Sequence, residues 1–139
     1  MLKPRALVPG SRVAVVAPAS RFKREEFDAG IAELRALGFL PEWDESVFDA
    51  GVPGYLAGSP EARARAIRTA LFDPSIDGII GVRGGYGSGQ ILPLLDVDEV
   101  RRSRKPVIGY SDLTTLLAFT TLFGVVRYMR RGGEGFFIK

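Results

Sequence analysis

The residues that could carry chemistry centre on Ser111, which stands between a short apolar run and a helical pattern. A serine hydroxyl can act as a nucleophile when a tight strand-to-helix turn projects it and aims backbone N–H groups at the developing oxyanion. Residues 109–113 (Gly-Tyr-Ser-Asp-Leu) supply the first half of the Gly-x-Ser-x-Gly elbow, but Leu113 stands where the second glycine would be. In the alternative interpretation Ser111 merely caps the helix, its oxygen accepting a backbone N–H. The local pattern leaves both interpretations open.

A second candidate is the glycine-rich segment 83–89 (Arg-Gly-Gly-Tyr-Gly-Ser-Gly). Glycines let backbone N–H groups approach an anion, so this loop could bind a phosphate or stabilise an oxyanion, and Arg83 could pair with a carboxylate. The spacing is not Gly-x-Gly-x-x-Gly, because Gln90 holds the last position counted from Gly85, and no Gly-Lys-Ser/Thr follows. A flavodoxin-like nucleotide binder is therefore the weaker interpretation, and an oxyanion loop and a plain flexible turn both stay open.

The composition excludes several other chemistries. The 139 residues include no histidine and no cysteine, so the chain offers no imidazole base, thiol nucleophile, disulfide or Cys-ligated zinc site. Aspartates that could form a metal site or an acid/base pair lie mostly at predicted helix boundaries, where capping or solvation is the simpler role. These are Asp73, Asp77, Asp96, Asp98 and Asp112. We expect no metal site.

The charge distribution argues against a nucleic-acid partner. Four basic residues and one glutamate after residue 126 account for the whole net charge of +3, so residues 1–126 are formally neutral. The basic run 101–105 precedes a predicted strand and is typical of a solvated helix end. No apolar run approaches the ~20 residues of a membrane span, so no membrane association and a cytoplasmic location are expected.

The elements that would position these groups alternate between strands and helices. Apolar runs predict strands at residues 12–17, 39–43, 76–82, 105–110 and from 125, and helical spacing predicts helices over 25–37, 60–72, 90–95, 97–102 and 112–123. Alternation of this kind predicts an α/β fold, a flavodoxin- or Rossmann-like three-layer domain with a parallel sheet. Because ligands bind at the carboxyl ends of such strands, Ser20, the 83–89 loop and Ser111 should share one edge.

Two prolines sharpen these boundaries. Pro41 lacks the N–H that a central strand must donate, which confines the second strand to an edge or a bulge. Ser59 followed by Pro60 is typical of a helix N-terminus, with serine as the cap and proline in the first turn.

Five short motifs, taken together and in order, resemble the LD-carboxypeptidase family. They are Val-Val-Ala-Pro-Ala-Ser (15–20), Tyr-Leu-Ala-Gly-Ser (55–59), Phe-Asp-Pro-Ser-Ile (72–76), Arg-Gly-Gly-Tyr-Gly (83–87) and Ile-Gly-Tyr-Ser-Asp-Leu-Thr (108–114). The family comprises serine peptidases, including murein tetrapeptide carboxypeptidases and microcin C self-immunity peptidases. The resemblance runs from about residue 8 to residue 126.

The resemblance implies a role for each site residue. Ser111 would be the nucleophile, and the backbone N–H groups of Asp112 and Gly85 would form the oxyanion hole. The substrate, a peptide such as the murein tetrapeptide, would be bound by Arg83, Gly84, Tyr86 and Ser20. The family hydrolyses an L-to-D peptide bond beside a free carboxyl terminus, in the cytoplasm, without a metal or an organic cofactor.

The resemblance also implies a two-domain enzyme, of which this chain carries one domain. In the family a C-terminal domain supplies the glutamate and histidine of a Ser-Glu-His triad. We expect residues 1–126 to be the nucleophile domain and residues 127–139 to be an atypical basic tail, with a frameshifted, truncated or cloning-derived end. Alone, the chain is then expected to be inactive. The alternative is a non-catalytic binding module that forms a homo-oligomer through the surface that the C-terminal domain would otherwise cover.

Overall fold

The protein is described by a computed structural model that covers residues 4–48 and 54–122 and the backbone of 127–129. Its centre is a five-stranded sheet with the order β2-β1-β3-β4-β5. Every neighbouring pair is parallel. The strands are β1 (Arg12–Val16), β2 (Leu40–Glu42), β3 (Gly78–Gly81), β4 (Val107–Gly109) and β5 (Arg127–Met129). This is the flavodoxin-like order, and it confirms the predicted parallel α/β fold.

Four α-helices connect the strands. They are α1 (Arg24–Ala36), α2 (Pro60–Phe72), α3 (Val97–Ser103) and α4 (Thr114–Leu122). Short 3₁₀ helices occupy Glu45–Phe48, Ser88–Leu94 and Ser111–Leu113. None of the helices in the described ranges is long and apolar enough to cross a membrane.

Side chains alternate between the two faces of the sheet and produce two cores. On β1, Ala14 and Val16 face α2, α3 and α4, where Ile67, Val100 and Leu117 are buried. The intervening Val13 and Val15 face α1 and pack with its three buried apolar residues, Phe27, Ile31 and Leu34. A strand covered on both faces must be apolar throughout, which is why the run 13–17 shows no polar alternation. The three-layer arrangement was predicted from the alternation of strands and helices along the sequence.

Both proline predictions are confirmed. Pro41 lies in β2, at the edge of the sheet, where its missing N–H leaves no partner strand unsatisfied. Ser59 caps α2, its hydroxyl accepting from the N–H of Ala62 at 3.1 Å, with Pro60 in the first turn.

Two predicted elements differ from the structure. The helix expected over 90–95 is the 3₁₀ helix Ser88–Leu94, which contains Pro93. The strand expected from residue 125 is found as β5, which pairs with β4 in the register Ile108 to Tyr128. Residues 125–126 lie outside the described part of the chain, and β5 lies within the segment that the sequence assigned to the tail.

Candidate active site

The candidate site is built on the turn between β4 and α4, where Ser111 adopts a left-handed backbone conformation with φ +56°. Such a conformation costs a residue with a Cβ about 1–3 kcal/mol. Among the described non-glycine residues, only Arg104 shares a positive φ, and Arg104 follows the last turn of α3, where helices commonly end this way. Ser111 instead follows a strand. The turn at Ser111 thus has the strained backbone geometry of a nucleophile elbow.

The structure does not show Ser111 acting as a helix cap. The residue that precedes the 3₁₀ turn is Tyr110, and no side-chain hydrogen bond caps this helix start. The Ser111 side chain is exposed instead. The capping interpretation of this serine therefore loses its support.

Leu113, which replaces the second glycine of the elbow pattern, anchors the turn. Its side chain is buried at 1% exposure, and its N–H donates to the carbonyl of Tyr110 at 3.1 Å. The side chain fills the space over Gly81 and Gly109, so that a Cβ at Gly109 would lie 2.8 Å from Leu113 Cδ1. The two glycines in the strands make room for the leucine, and this packing explains why the motif departs from its usual form.

The glycine-rich loop rests directly on this elbow. A Cβ at Gly84 would lie 2.7 Å from the Cβ of Ser111 and 3.1 Å from the backbone nitrogen of Asp112. Contacts under 3.0 Å do not occur for real Cβ atoms, so only glycine allows this approach. The predicted proximity of the loop and Ser111 is thus present in the structure.

Gly85 turns the loop with a φ of +101° and has no room for a side chain. A Cβ there would collide with the hydroxyl of Ser20 and lie 2.6 Å from the phenol oxygen of Tyr55. Tyr55 reaches this position because segment 55–57 pairs with the chain after β1: Arg21 N–H donates to the carbonyl of Tyr55 at 2.9 Å.

Ser20 lies beneath the loop. Its hydroxyl donates to the carbonyl of Gly84 at 2.6 Å, and the residue is only 1% exposed. Its backbone N–H donates to the same carbonyl at 3.3 Å. The sequence placed Ser20 among substrate-binding residues; in the structure its hydroxyl proton is used to hold the loop.

Asp112 and Ser88 form a two-way connection between the elbow and the loop. The carboxylate of Asp112 accepts from the Ser88 N–H at 2.8 Å, and the Ser88 hydroxyl donates to the Asp112 carbonyl at 2.6 Å. Ser88 is fully buried. Hydrogen bonds to a carboxylate are stronger than neutral ones, so this pair fixes the loop relative to the elbow.

The remaining predicted side chains, Arg83 and Tyr86, lie on the rim of the site with Tyr55, which the sequence did not predict as a site residue. Arg83 is half-buried, and its guanidinium donates to the carbonyl of Arg21 at 3.4 Å. Tyr86 is 64% exposed and Tyr55 is 56% exposed. The rim therefore offers a cation and two phenol rings to solvent beside the elbow.

Sequence reasoning missed Arg63, which the structure places at the back of the site. On α2, Ala62 is exposed and its neighbour Arg63 is buried. Arg63 lies four residues before Ile67, and this spacing puts it on the buried face of a helix. That spacing was the signal available in the sequence.

The described residues contain no cluster of acidic, histidine or cysteine side chains that could hold a metal ion. The Asp112 carboxylate, next to Ser111, already accepts from the Ser88 N–H.

Comparisons with known proteins place this geometry in a family. Residues 13–129 match the model of the LD-carboxypeptidase N-terminal domain, including β5 and the whole candidate site. The chain belongs to the LD-carboxypeptidase family. The match extends three residues beyond the limit of the resemblance found in the motifs.

Individual relatives give the same result. The chain is 36% identical over 111 residues to the murein tetrapeptide carboxypeptidase of Pseudomonas aeruginosa, covering 77% of this chain and 34% of that protein. It is similar to the crystal structure of an MccF-like protein from Bacillus anthracis, with a TM-score of 0.85, 28% identity, and coverage of 98% and 41%. It is also similar to the microcin C7 self-immunity protein MccF in complex with aspartyl sulfamoyl adenosine, with a TM-score of 0.77, 26% identity, and coverage of 90% and 37%. This LD-carboxypeptidase domain thus spans about two-fifths or less of the length of each.

Proposed function

We propose that this chain is the nucleophile domain of a serine-type LD-carboxypeptidase, which hydrolyses an L-to-D peptide bond beside a free carboxyl terminus, as in a murein tetrapeptide. The observation that carries the proposal is the φ of +56° at an exposed Ser111. A strained serine that caps nothing and projects from a strand-to-helix turn suits nucleophilic attack better than a structural role.

In this proposal the Ser111 oxygen attacks the scissile carbonyl carbon, and the carbonyl oxygen becomes an oxyanion. The backbone N–H groups of Asp112 and Gly85 donate to it. The closeness of Gly84 to both Ser111 and the Asp112 nitrogen supports this arrangement, because Gly85 is the next residue on that loop. Donors held in place before the reaction stabilise the developing charge without reorganisation.

Arg83 and Tyr86 are proposed to bind the peptide. The substrate has a free carboxylate near the cleaved bond, and a guanidinium is the side chain best suited to pair with it. Both residues lie on the loop that carries Gly84 and Gly85, on the exposed rim of the site. Ser20 supports the same loop through the Gly84 carbonyl. The proposed location of the reaction is the cytoplasm.

The proton of Ser111 has no acceptor of the expected kind in this chain, which contains no histidine. The glutamate and histidine of the proposed triad would come from a part of the enzyme that this chain does not include. Loss of triad members costs roughly 10⁴- to 10⁶-fold in rate. We therefore expect the 139-residue chain alone to be inactive.

The chain and its Ser111→Ala variant should give the same background release of D-alanine from a murein tetrapeptide, measured against the Pseudomonas aeruginosa enzyme as the positive control. Release by the wild-type chain that Ser111→Ala abolishes would contradict the expected inactivity. A fusion of residues 4–129 to the remainder of the Pseudomonas enzyme tests the peptidase assignment itself. A folded fusion without activity would argue against that assignment.

A further inference from the structure

Arg63 is the most deeply buried cation near the site, with 2% exposure. It lies in the first turn of α2 and its guanidinium donates four hydrogen bonds. Nη1 donates to the carbonyls of Pro18 at 2.8 Å and Gly87 at 2.9 Å, Nη2 donates to Gln90 Oε1 at 2.7 Å, and Nε donates to the Gly58 carbonyl at 3.2 Å. One side chain thus joins segments that lie far apart in the sequence.

The acceptors of Arg63 share one location in the fold. Pro18 follows β1, Gly58 precedes α2, and Gly87 and Gln90 belong to the chain that follows β3. All of these segments lie at the edge of the sheet where the strands end, beside the elbow. The guanidinium thus bonds to segments around this edge rather than to the strands of the sheet.

Burial makes Arg63 costly unless its donors are satisfied. Desolvation lowers the pKa of its guanidinium, while the nearby charges of Asp112 and Glu61 act in the opposite direction. The acceptors are neutral carbonyl and amide oxygens, so the charge is held by oriented dipoles. Removing the guanidinium would leave the Pro18 and Gly87 carbonyls without these partners.

The contacts continue from Arg63 to the nucleophile. Gly87 has a φ of +117°, and a Cβ there would lie 3.2 Å from Arg63 Nη1, so the guanidinium fits closely against this turn. The next residue, Ser88, makes both hydrogen bonds to Asp112. Asp112 is adjacent to Ser111. The residue that accepts from Arg63 and the residue that bonds to Asp112 are therefore adjacent in the chain.

The geometry points to Arg63 as a positioning residue that fixes the 83–90 loop, and with it the proposed oxyanion donor Gly85, against Ser111. This role rests on the proposed function, in which Gly85 donates to the oxyanion that forms when Ser111 attacks the substrate. Arg63 makes no hydrogen bond to Ser111 and acts through the loop, by way of Gly87, Ser88 and Asp112.

The test is nuclear magnetic resonance of the ¹⁵N-labelled 139-residue chain, with Arg63→Met compared to Arg65→Met. Arg65 is an exposed arginine on the same helix, so the control makes the same chemical change away from the site. We expect Arg63→Met to shift the amides of Gly85, Ser88 and Asp112, and to speed hydrogen exchange of the Ser88 N–H on the order of 10- to 100-fold. The amides of β3, in the body of the sheet, should keep their positions.

Chemical rescue separates positioning from general stability. Added guanidinium ion at low, non-denaturing concentration should return the Ser88 and Asp112 amides of Arg63→Met towards their wild-type positions, and should not affect Arg65→Met. Unchanged site amides in Arg63→Met, or changes spread evenly over the sheet without rescue, would overturn the proposal.

Arg63→Lys is the second variant, for the case in which Arg63→Met does not fold. It keeps the charge, but a single ammonium cannot reach Pro18, Gly87 and Gln90 together. The same amides should shift, and wild-type spectra for Arg63→Lys would also overturn the proposal. Because these spectra need no turnover, an inactive fusion enzyme with the expected spectral response would reject the peptidase function and leave the positioning role intact.

Discussion

Replacing Ser111 with alanine should lower kcat of the fusion enzyme by about 10⁴- to 10⁶-fold, the range found when a nucleophile is removed from a catalytic triad. The physical reason is that in the proposed mechanism the Ser111 hydroxyl forms the acyl intermediate, and alanine has no nucleophilic atom. The measurement is D-alanine release from murein tetrapeptide under saturating substrate. KM should change little if the loop still binds the peptide.

Ser75→Ala is the matched control for this loss. Ser75 is an exposed serine that bonds only to Asp73, between α2 and β3 and at the opposite edge of the sheet from Ser111. The control should retain the activity of the parent fusion. Comparable rates in Ser111→Ala and Ser75→Ala would show that this serine is not the nucleophile.

Gly85→Ala should reduce kcat/KM of the fusion by about 10²- to 10³-fold, the effect typical of losing one oxyanion donor. Alanine does not tolerate the φ of +101°, and its methyl group would meet the Ser20 hydroxyl and the Tyr55 phenol oxygen. Relief of this strain would move the Gly85 N–H away from the elbow. We also expect the free energy of unfolding of the chain to fall by about 1–3 kcal/mol, measured by chemical denaturation.

Gly89→Ala provides the control within the same loop. Its φ is outside the left-handed range, and the nearest neighbour to an added Cβ is Thr115 Cγ2 at 3.8 Å, an ordinary contact. Gly89→Ala should therefore leave both the rate and the unfolding free energy close to wild type. Equal effects of the two substitutions would remove the special role assigned to Gly85.

Much of the architecture follows from short-range patterns in the sequence. The unbroken apolar run of β1 predicted a strand covered on both faces, Pro41 predicted an edge strand, and Ser59-Pro60 predicted the start of α2. Each depends on the chemistry of one or two residues, namely burial, a missing N–H or a capping hydroxyl. These predictions agree with the structure because each depends on neighbouring residues and not on the path of the rest of the chain.

The site was less predictable because it depends on contacts between distant segments. Local reasoning could not choose between a capping and an exposed Ser111; the deciding features are its positive φ and the packing of Leu113 over Gly81. The family resemblance assigned Ser20 to substrate binding, but the bond that its hydroxyl donates to the carbonyl of Gly84, 64 residues away, had no signal in the sequence.

The role of Arg63 was also not predictable from the sequence, because it depends on contacts between distant segments. Its helical spacing marked a buried position, but three of its four acceptors lie 24 to 45 residues away in the sequence, on segments whose paths the sequence alone does not define. An arginine on the buried face of a helix thus indicates that the side chain anchors loops. A search for apolar residues at helical spacing does not detect it.

The most direct test of the central claim, that Ser111 is the nucleophile, is covalent labelling. The fusion enzyme would be treated with a fluorophosphonate, which reacts with activated serines, and the labelled peptide would be mapped by mass spectrometry. We predict a single adduct on Ser111 that Ser111→Ala abolishes and Ser75→Ala retains. An adduct on another residue of an active fusion, or full activity without any adduct on Ser111, would contradict the claim.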